Sequence, residues 1–154
     1  MSMGHMEPEQ GAFWIASDAI KAPGHPFFKK LNAVLAQHDF DVRVEALCRP
    51  YYAKSSGRPS IPPGRYFRML MIGYFEGISS ERGLAWRCKD SLSLKAFLGL
   101  GVADAVPDHS SLSIARKRFP LAVFDAVNKL VLEILKDAGL LKGRVLAQIG
   151  RAHV

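Results

Sequence analysis

Apolar residues recur along most of the chain at helical spacing. After His25-Pro26, the residues Phe27, Leu31, Val34 and Leu35 fall at i, i+4, i+7 and i+8, which predicts a helix ending near His38-Asp39. A short second helix is expected over Val42 to Leu47, ahead of Pro50. Phe67, Leu70, Met71, Tyr74 and Phe75 mark a third with one broad apolar face, and Arg65 and Arg68 fall on its opposite side. Three short helices follow, carried by Leu84, Ala85 and Cys88, by Leu92, Leu94, Phe97 and Leu98, and by Leu112, Ala115 and Phe119. The longest pattern runs from Leu121 to Ala138, with Phe124, Val127, Val131, Ile134 and Ala138 in period and Leu130 and Leu135 widening the stripe. No segment before residue 140 alternates as a strand would, so the expected fold class is all-α, a multi-helix bundle of about seven helices.

Helix boundaries come from residues that satisfy or forbid terminal hydrogen bonds. Ser79 or Ser80 and Asp108 are expected N-caps, because their oxygens accept from backbone N–H groups that have no intrahelical partner. Glu81 suits the positive end of its helix, and Arg87 and Lys89 the negative end. Asp90 and Ser91 break that helix. Gly77, Gly99 and Gly139 fit C-terminal ends. Tyr51 to Pro63 is loop chemistry, with Ser60 a candidate N-cap and Pro62 and Pro63 tolerated in a first turn. Gly101 to Pro107 is a second loop. Residues 1–24 read as a loose leader in which Phe13, Trp14 and Ile15 set no period.

Charge adds a direction to this scaffold. The 154 residues carry a net +7, and residues 49–118 alone hold 12 basic and 5 acidic groups against near-neutral flanks. A basic block of this kind is the electrostatic footprint of a polyanion binder, though a solvated surface has the same composition. Cys48 and Cys88 stand forty residues apart with no CxxC spacing, which excludes zinc-ribbon and thioredoxin-type readings and suits two small core residues in a reducing compartment. The start lacks both a basic n-region and an apolar h-region, so no signal peptide is expected. The longest apolar stretch, Met69 to Phe75, is far too short to span a bilayer. A soluble, intracellular protein is expected, with no membrane partner.

Three short capped helices inside a basic block, Ser79–Lys89, Ser91–Leu98 and His109–Arg118, suggest a helix-turn-helix-like module. Such a module lays one helix in the major groove. His109–Arg118 is the candidate. Ser110, Ser111 and Ser113 suit phosphates or base edges, Arg116 a guanine edge, and Lys117 and Arg118 phosphates. An ordinary capped surface helix would show the same pattern. Gly57-Arg58-Pro59 resembles a short minor-groove arm, and Arg82 and Arg87 are further candidates for backbone contact. The five histidines have no metal-ligand spacing, and no phosphate-binding glycine loop or nucleophile elbow is present. Asp104 and Asp108 are better explained by loop solvation and capping than by a metal. Tyr66, Phe67, Tyr74 and Phe75 read as core.

An ordered set of motifs goes further. It comprises His25-Pro26-Phe27, Tyr51-Tyr52-Ala53, Gly57-Arg58-Pro59, Tyr66-Phe67-Arg68-Met69-Leu70, Gly73-Tyr74-Phe75-Glu76-Gly77-Ile78, Ser80-Glu81-Arg82, Ala85-Trp86-Arg87, Asp90-Ser91-Leu92, Phe97-Leu98-Gly99-Leu100, Pro107-Asp108-His109-Ser110-Ser111 and Gly139-Leu140-Leu141. Over residues 25–147 the chain resembles the N-terminal domain of bacterial insertion-sequence transposases, the InsH-like group with a DDE catalytic domain. The resemblance implies a helical domain, residues 25–141, that recognises the terminal inverted repeats of the element in double-stranded DNA. It also implies a following ribonuclease-H-like domain whose three acids hold two divalent metal ions, magnesium in the full-length family, for strand cleavage and transfer. The first of those acids is expected near position 150, on a strand over Val145 to Ile149; Gly150 stands there instead.

Residues 142–154 are therefore expected to be the start of a missing catalytic domain. Residues 149–154 can be encoded by a string resembling a sequencing-adapter read and are expected to be an artefactual tail. The expected function is a DNA-binding transposase fragment, not an enzyme by itself, with no cofactor of its own and a cytoplasmic, nucleoid-associated location. Its partners would be inverted-repeat DNA and a second copy or the full-length transposase. The alternative is a stand-alone truncated regulator that represses or inhibits that enzyme.

Overall fold

The computed structural model describes residues 1–6, 25–53 and 57–140. Seven α-helices lie among the described residues: α1 Pro26–Gln37, α2 Phe40–Cys48, α3 Pro63–Glu76, α4 Glu81–Lys89, α5 Leu92–Phe97, α6 His109–Arg118 and α7 Leu121–Asp137. A 3-10 turn, Arg49–Tyr51, extends α2. No strand occurs among the described residues. The only pairing there outside helices is an isolated parallel bridging of Ser2 to Ala53 and Pro59. The all-α expectation holds. Expectations for Phe13 to Ile15, Val145 to Ile149 and residues 142–154 lie outside the described residues.

Most boundaries follow from local chemistry. Ser80 and Ser91 accept from the backbone N–H groups of Gly83 and Leu94 at 3.0 and 3.1 Å, each cap worth about 1 kcal/mol. Gly77 ends α3 with φ +70°, a conformation that costs other residues. Asp39 (φ +53°) separates α1 from α2 so closely that α2 starts two residues before the expected Val42 and buries Phe40 completely. Ser60 does not cap α3. The residue before the helix is Pro62, which offers no side-chain acceptor, and the Ser60 hydroxyl faces the Ile61 carbonyl.

Two helix registers differ from expectation. In α1 the buried set is Phe28, Leu31, Val34 and Leu35, while Phe27 is 42% exposed and covers Phe75 edge-on, 4.8 Å between ring centres. In α3 the apolar face is not confined to one side. Tyr66, Phe67, Met69, Met71 and Ile72 are all buried, while Tyr74 is 40% exposed. The cause is packing on several sides: α2 and α4 both lie against α3, and α2 is also in contact with α1 and α7.

Arg68, expected on the solvent side of α3, is therefore only 3% exposed. Its guanidinium donates to both carboxylate oxygens of Asp41, to Asn32 Oδ1 at 3.1 Å and to the Gly64 carbonyl at 3.2 Å. It also lies 5.3 Å from the centre of the Phe40 ring. A buried cation needs such pairing, because desolvation alone costs several kcal/mol. The end of α6 supplies a second organising point. Phe119 meets the rings of Tyr51, Tyr52, Tyr66, Phe67 and Phe124 at 5.9–6.3 Å.

Residues 1–6, expected to be part of the loose leader, pack against the body. Met3 is buried, the Ser2 carbonyl accepts from Ser60 N at 3.0 Å, and the Ser2 hydroxyl donates to the Gly57 carbonyl at 3.0 Å.

Candidate nucleic-acid interface

The three short helices singled out in the sequence are neighbours in space: α4 packs on both α5 and α6. Leu112 and Ala115 of α6 are buried with Phe119 behind them, which turns the rest of the helix outward. The Asp108 carboxylate caps it, accepting from the Ser111 backbone N–H and the Ser110 hydroxyl, each at 2.8 Å. Those bonds to the ionised form, the backbone N–H first, hold Asp108 down at about 2. The Ser110 hydroxyl thus points to the capping acid. Ser111 and Ser113 are half-buried, and Arg116 and Lys117 are exposed.

The predicted cations fall into two groups. Arg82 and Arg116 line one groove, and Arg87 on α4 reaches the end of α3. Arg116 pairs with Glu81 at 2.9 Å, and Arg87 grips Glu76 through two bonds of 2.8 and 3.0 Å. Arg82 lies 3.4 Å from His109 Nε2. A half-open groove of about 480 Å³ is lined by residues of α3, α4 and α6, with Arg82, Glu81 and Arg116 on its wall and Tyr66 and Leu112 at its floor. Burial, with the Glu81 charge second, pushes the Tyr66 hydroxyl above its ordinary range, so it stays protonated.

Arg118 and Arg58 form the other group. The Arg118 guanidinium stacks 4.5 Å over the Tyr52 ring and reaches the Met1 sulfur at 3.4 Å. The Tyr52 hydroxyl sits against Ser60 and Arg118 and is raised by burial. Arg58 is exposed on the loop that Ser2 bridges, and among the described residues neither Arg58, Lys117 nor Arg118 is in an ion pair with an acid.

Sequence reasoning missed the partners Glu76 and Glu81, the Tyr52 platform and the Ser2 bridge. Glu81 was legible only as a first-turn acid, and nothing local marked the other three. The acids of this region have structural occupations: Asp41 on Arg68, Glu76 on Arg87, Glu81 on Arg116, Asp104 on the Gly101 N–H and Asp108 on α6. Among the described residues no three His, Cys, Asp or Glu side chains come together to hold a metal ion. No helix there is long and apolar enough to cross a membrane.

No curated protein matches the chain, and no solved structure does. One family model does match, described as a transposase domain (DUF772), over residues 16–118. Its last matched residue, Arg118, is also the last residue of α6, so the match takes in every helix that builds this surface and stops before α7. With about two thirds of its length covered in this way, the chain belongs to the DUF772 transposase-domain family.

Proposed function

We propose that this chain is the DNA-binding part of an insertion-sequence transposase and that it recognises the terminal inverted repeats of the element. The observation that carries the reading is α6. It is a ten-residue helix without an acidic residue, packed on α4 through Leu112 and Ala115, with three consecutive basic residues in its last turn. In this reading α4 to α6 act as a helix-turn-helix-like module and α6 is the recognition helix. Ser110, Ser111 and Ser113 approach phosphates or base edges, Arg116 a guanine edge, and Lys117 and Arg118 the backbone, while Arg58, Arg82 and Arg87 add phosphate contacts. Family membership supports the transposase part of the proposal.

The test is selection of duplexes from a random pool, followed by titration across a salt series. One sequence class should be enriched, and binding should weaken steeply with salt. Arg116→Ala with Lys117→Ala should reduce both affinity and salt slope; unchanged values would refute the recognition-helix assignment. Incubation of the chain alone with that duplex and magnesium is expected to leave both strands intact.

A further inference from the structure

We infer that the chain carries a preformed phosphate-binding face for duplex DNA that runs from the last turn of α6 across Tyr52 to Arg58, away from the Arg116–Glu81 groove. The inference rests on the proposed DNA binding and says which surface meets the phosphates.

Charge accounting separates the two faces. Outside the groove Glu76 neutralises Arg87, and in the groove Glu81 neutralises Arg116. A phosphate arriving there must compete with a carboxylate already at hydrogen-bond distance. Lys117, Arg118 and Arg58 have no acid in contact among the described residues. No acidic residue occurs between Glu45 and Glu76, or within α6.

Geometry makes the second face one unit. Arg118 is held over Tyr52, and Tyr52 contacts both Ser60 and Phe119. Ser60 belongs to the loop that carries Arg58, and Ser2 ties both ends of that loop: its hydroxyl donates to the Gly57 carbonyl and its own carbonyl accepts from Ser60 N. Gly57 adopts φ +109°, and a Cβ there would meet Met1 Cα at 3.0 Å, so the close approach requires glycine. A guanidinium held over a ring before binding loses little freedom on meeting phosphate oxygens and keeps N–H groups open, while the Ser2 bonds hold the backbone that carries Arg58.

The test uses the full chain and a fluorescein-labelled duplex read by anisotropy. The variants are Arg58→Ala with Arg118→Ala, Arg118→Lys, and Lys129→Ala with Lys136→Ala on α7 as the control. Loss of two phosphate contacts should lower the salt slope by about two, so the affinity ratio of wild type to double variant narrows about tenfold between about 50 and about 200 mM salt. Arg118→Lys should keep most of the slope, which separates lost charge from lost packing, and thermal melting checks the fold. A double variant with an unchanged slope, or an α7 control that lowers it equally, overturns this face and the Arg58 and Arg118 contacts, while DNA recognition through the rest of α6 stands. A wild-type chain that ignores duplex DNA, or prefers single-stranded RNA of equal length, overturns the face and that reading together.

Discussion

Replacing Asp41 by Ala should be the most damaging single change to the helical body outside its apolar core. It leaves the Arg68 guanidinium at 3% exposure with Asn32 Oδ1 and the Gly64 carbonyl but without an anion. Breaking a buried ion pair from one side costs about 3–5 kcal/mol. The Asp41 side chain is 30% exposed, so water can reach its place, and the lower end, about 3 kcal/mol, applies. For a chain of this size that corresponds to a fall of about 6–12 °C in melting temperature. Arg68→Met keeps the side-chain volume against Phe40 and leaves Asp41 partly hydrated, so it should cost about 1 kcal/mol, and the double variant about the same. Urea unfolding followed by far-ultraviolet circular dichroism gives all three values, and their cycle should return a coupling of about 2–3 kcal/mol. If Asp41→Ala costs less than about 1 kcal/mol, or the two changes simply add, the pair does not hold α2 to α3.

Two further outcomes follow from perturbed titrations. Asp108 sits at about 2 in the folded chain against an ordinary 3.8. A lowered carboxylate stabilises fully above its unfolded value and ceases to as pH falls through its folded one. The stability gap between wild type and Asp108→Ala should therefore shrink between about pH 4 and pH 2, and a gap that stays constant over that window would contradict the cap. Burial, with Glu45 and Glu76 adding to it, pushes the thiols of Cys48 and Cys88 up to about 12 and about 11. Both should resist a thiol-specific chromogenic reagent at neutral pH and react at once in urea; rapid labelling of the native protein would show that they are not sealed.

What could be read from the sequence was what neighbours along the chain decide. Asp108, Ser80 and Gly77 act within three or four residues, so their roles in ending and starting helices were visible. Leu112, Ala115 and Phe119 were visible for the same reason, because α6 is packed on one side only. The register of α1 and the inside of α3 were not. Phe27 and Phe28 are equally apolar, and only the placement of Phe75 and Phe97 decides which one is buried. One-sided amphipathicity places Arg68 in solvent, whereas Asp41 and Asn32 arrive from 27 and 36 residues away. The candidate interface divides in the same way. Its cations could be named in advance, but their neutralisation by Glu76 and Glu81 depends on how three helices meet.

Seen from a distance, the pairs Arg68–Asp41, Arg87–Glu76 and Arg116–Glu81 behave as short dipoles. A dipole's field dies away faster than a monopole's, and beyond about 8–10 Å of saline little of it survives. Half a dozen of the protein's charges are thereby silent to an approaching polymer. In the proposed DNA binding, the long-range pull toward a polyanion comes from cations outside these pairs, Arg58, Lys117 and Arg118 among them.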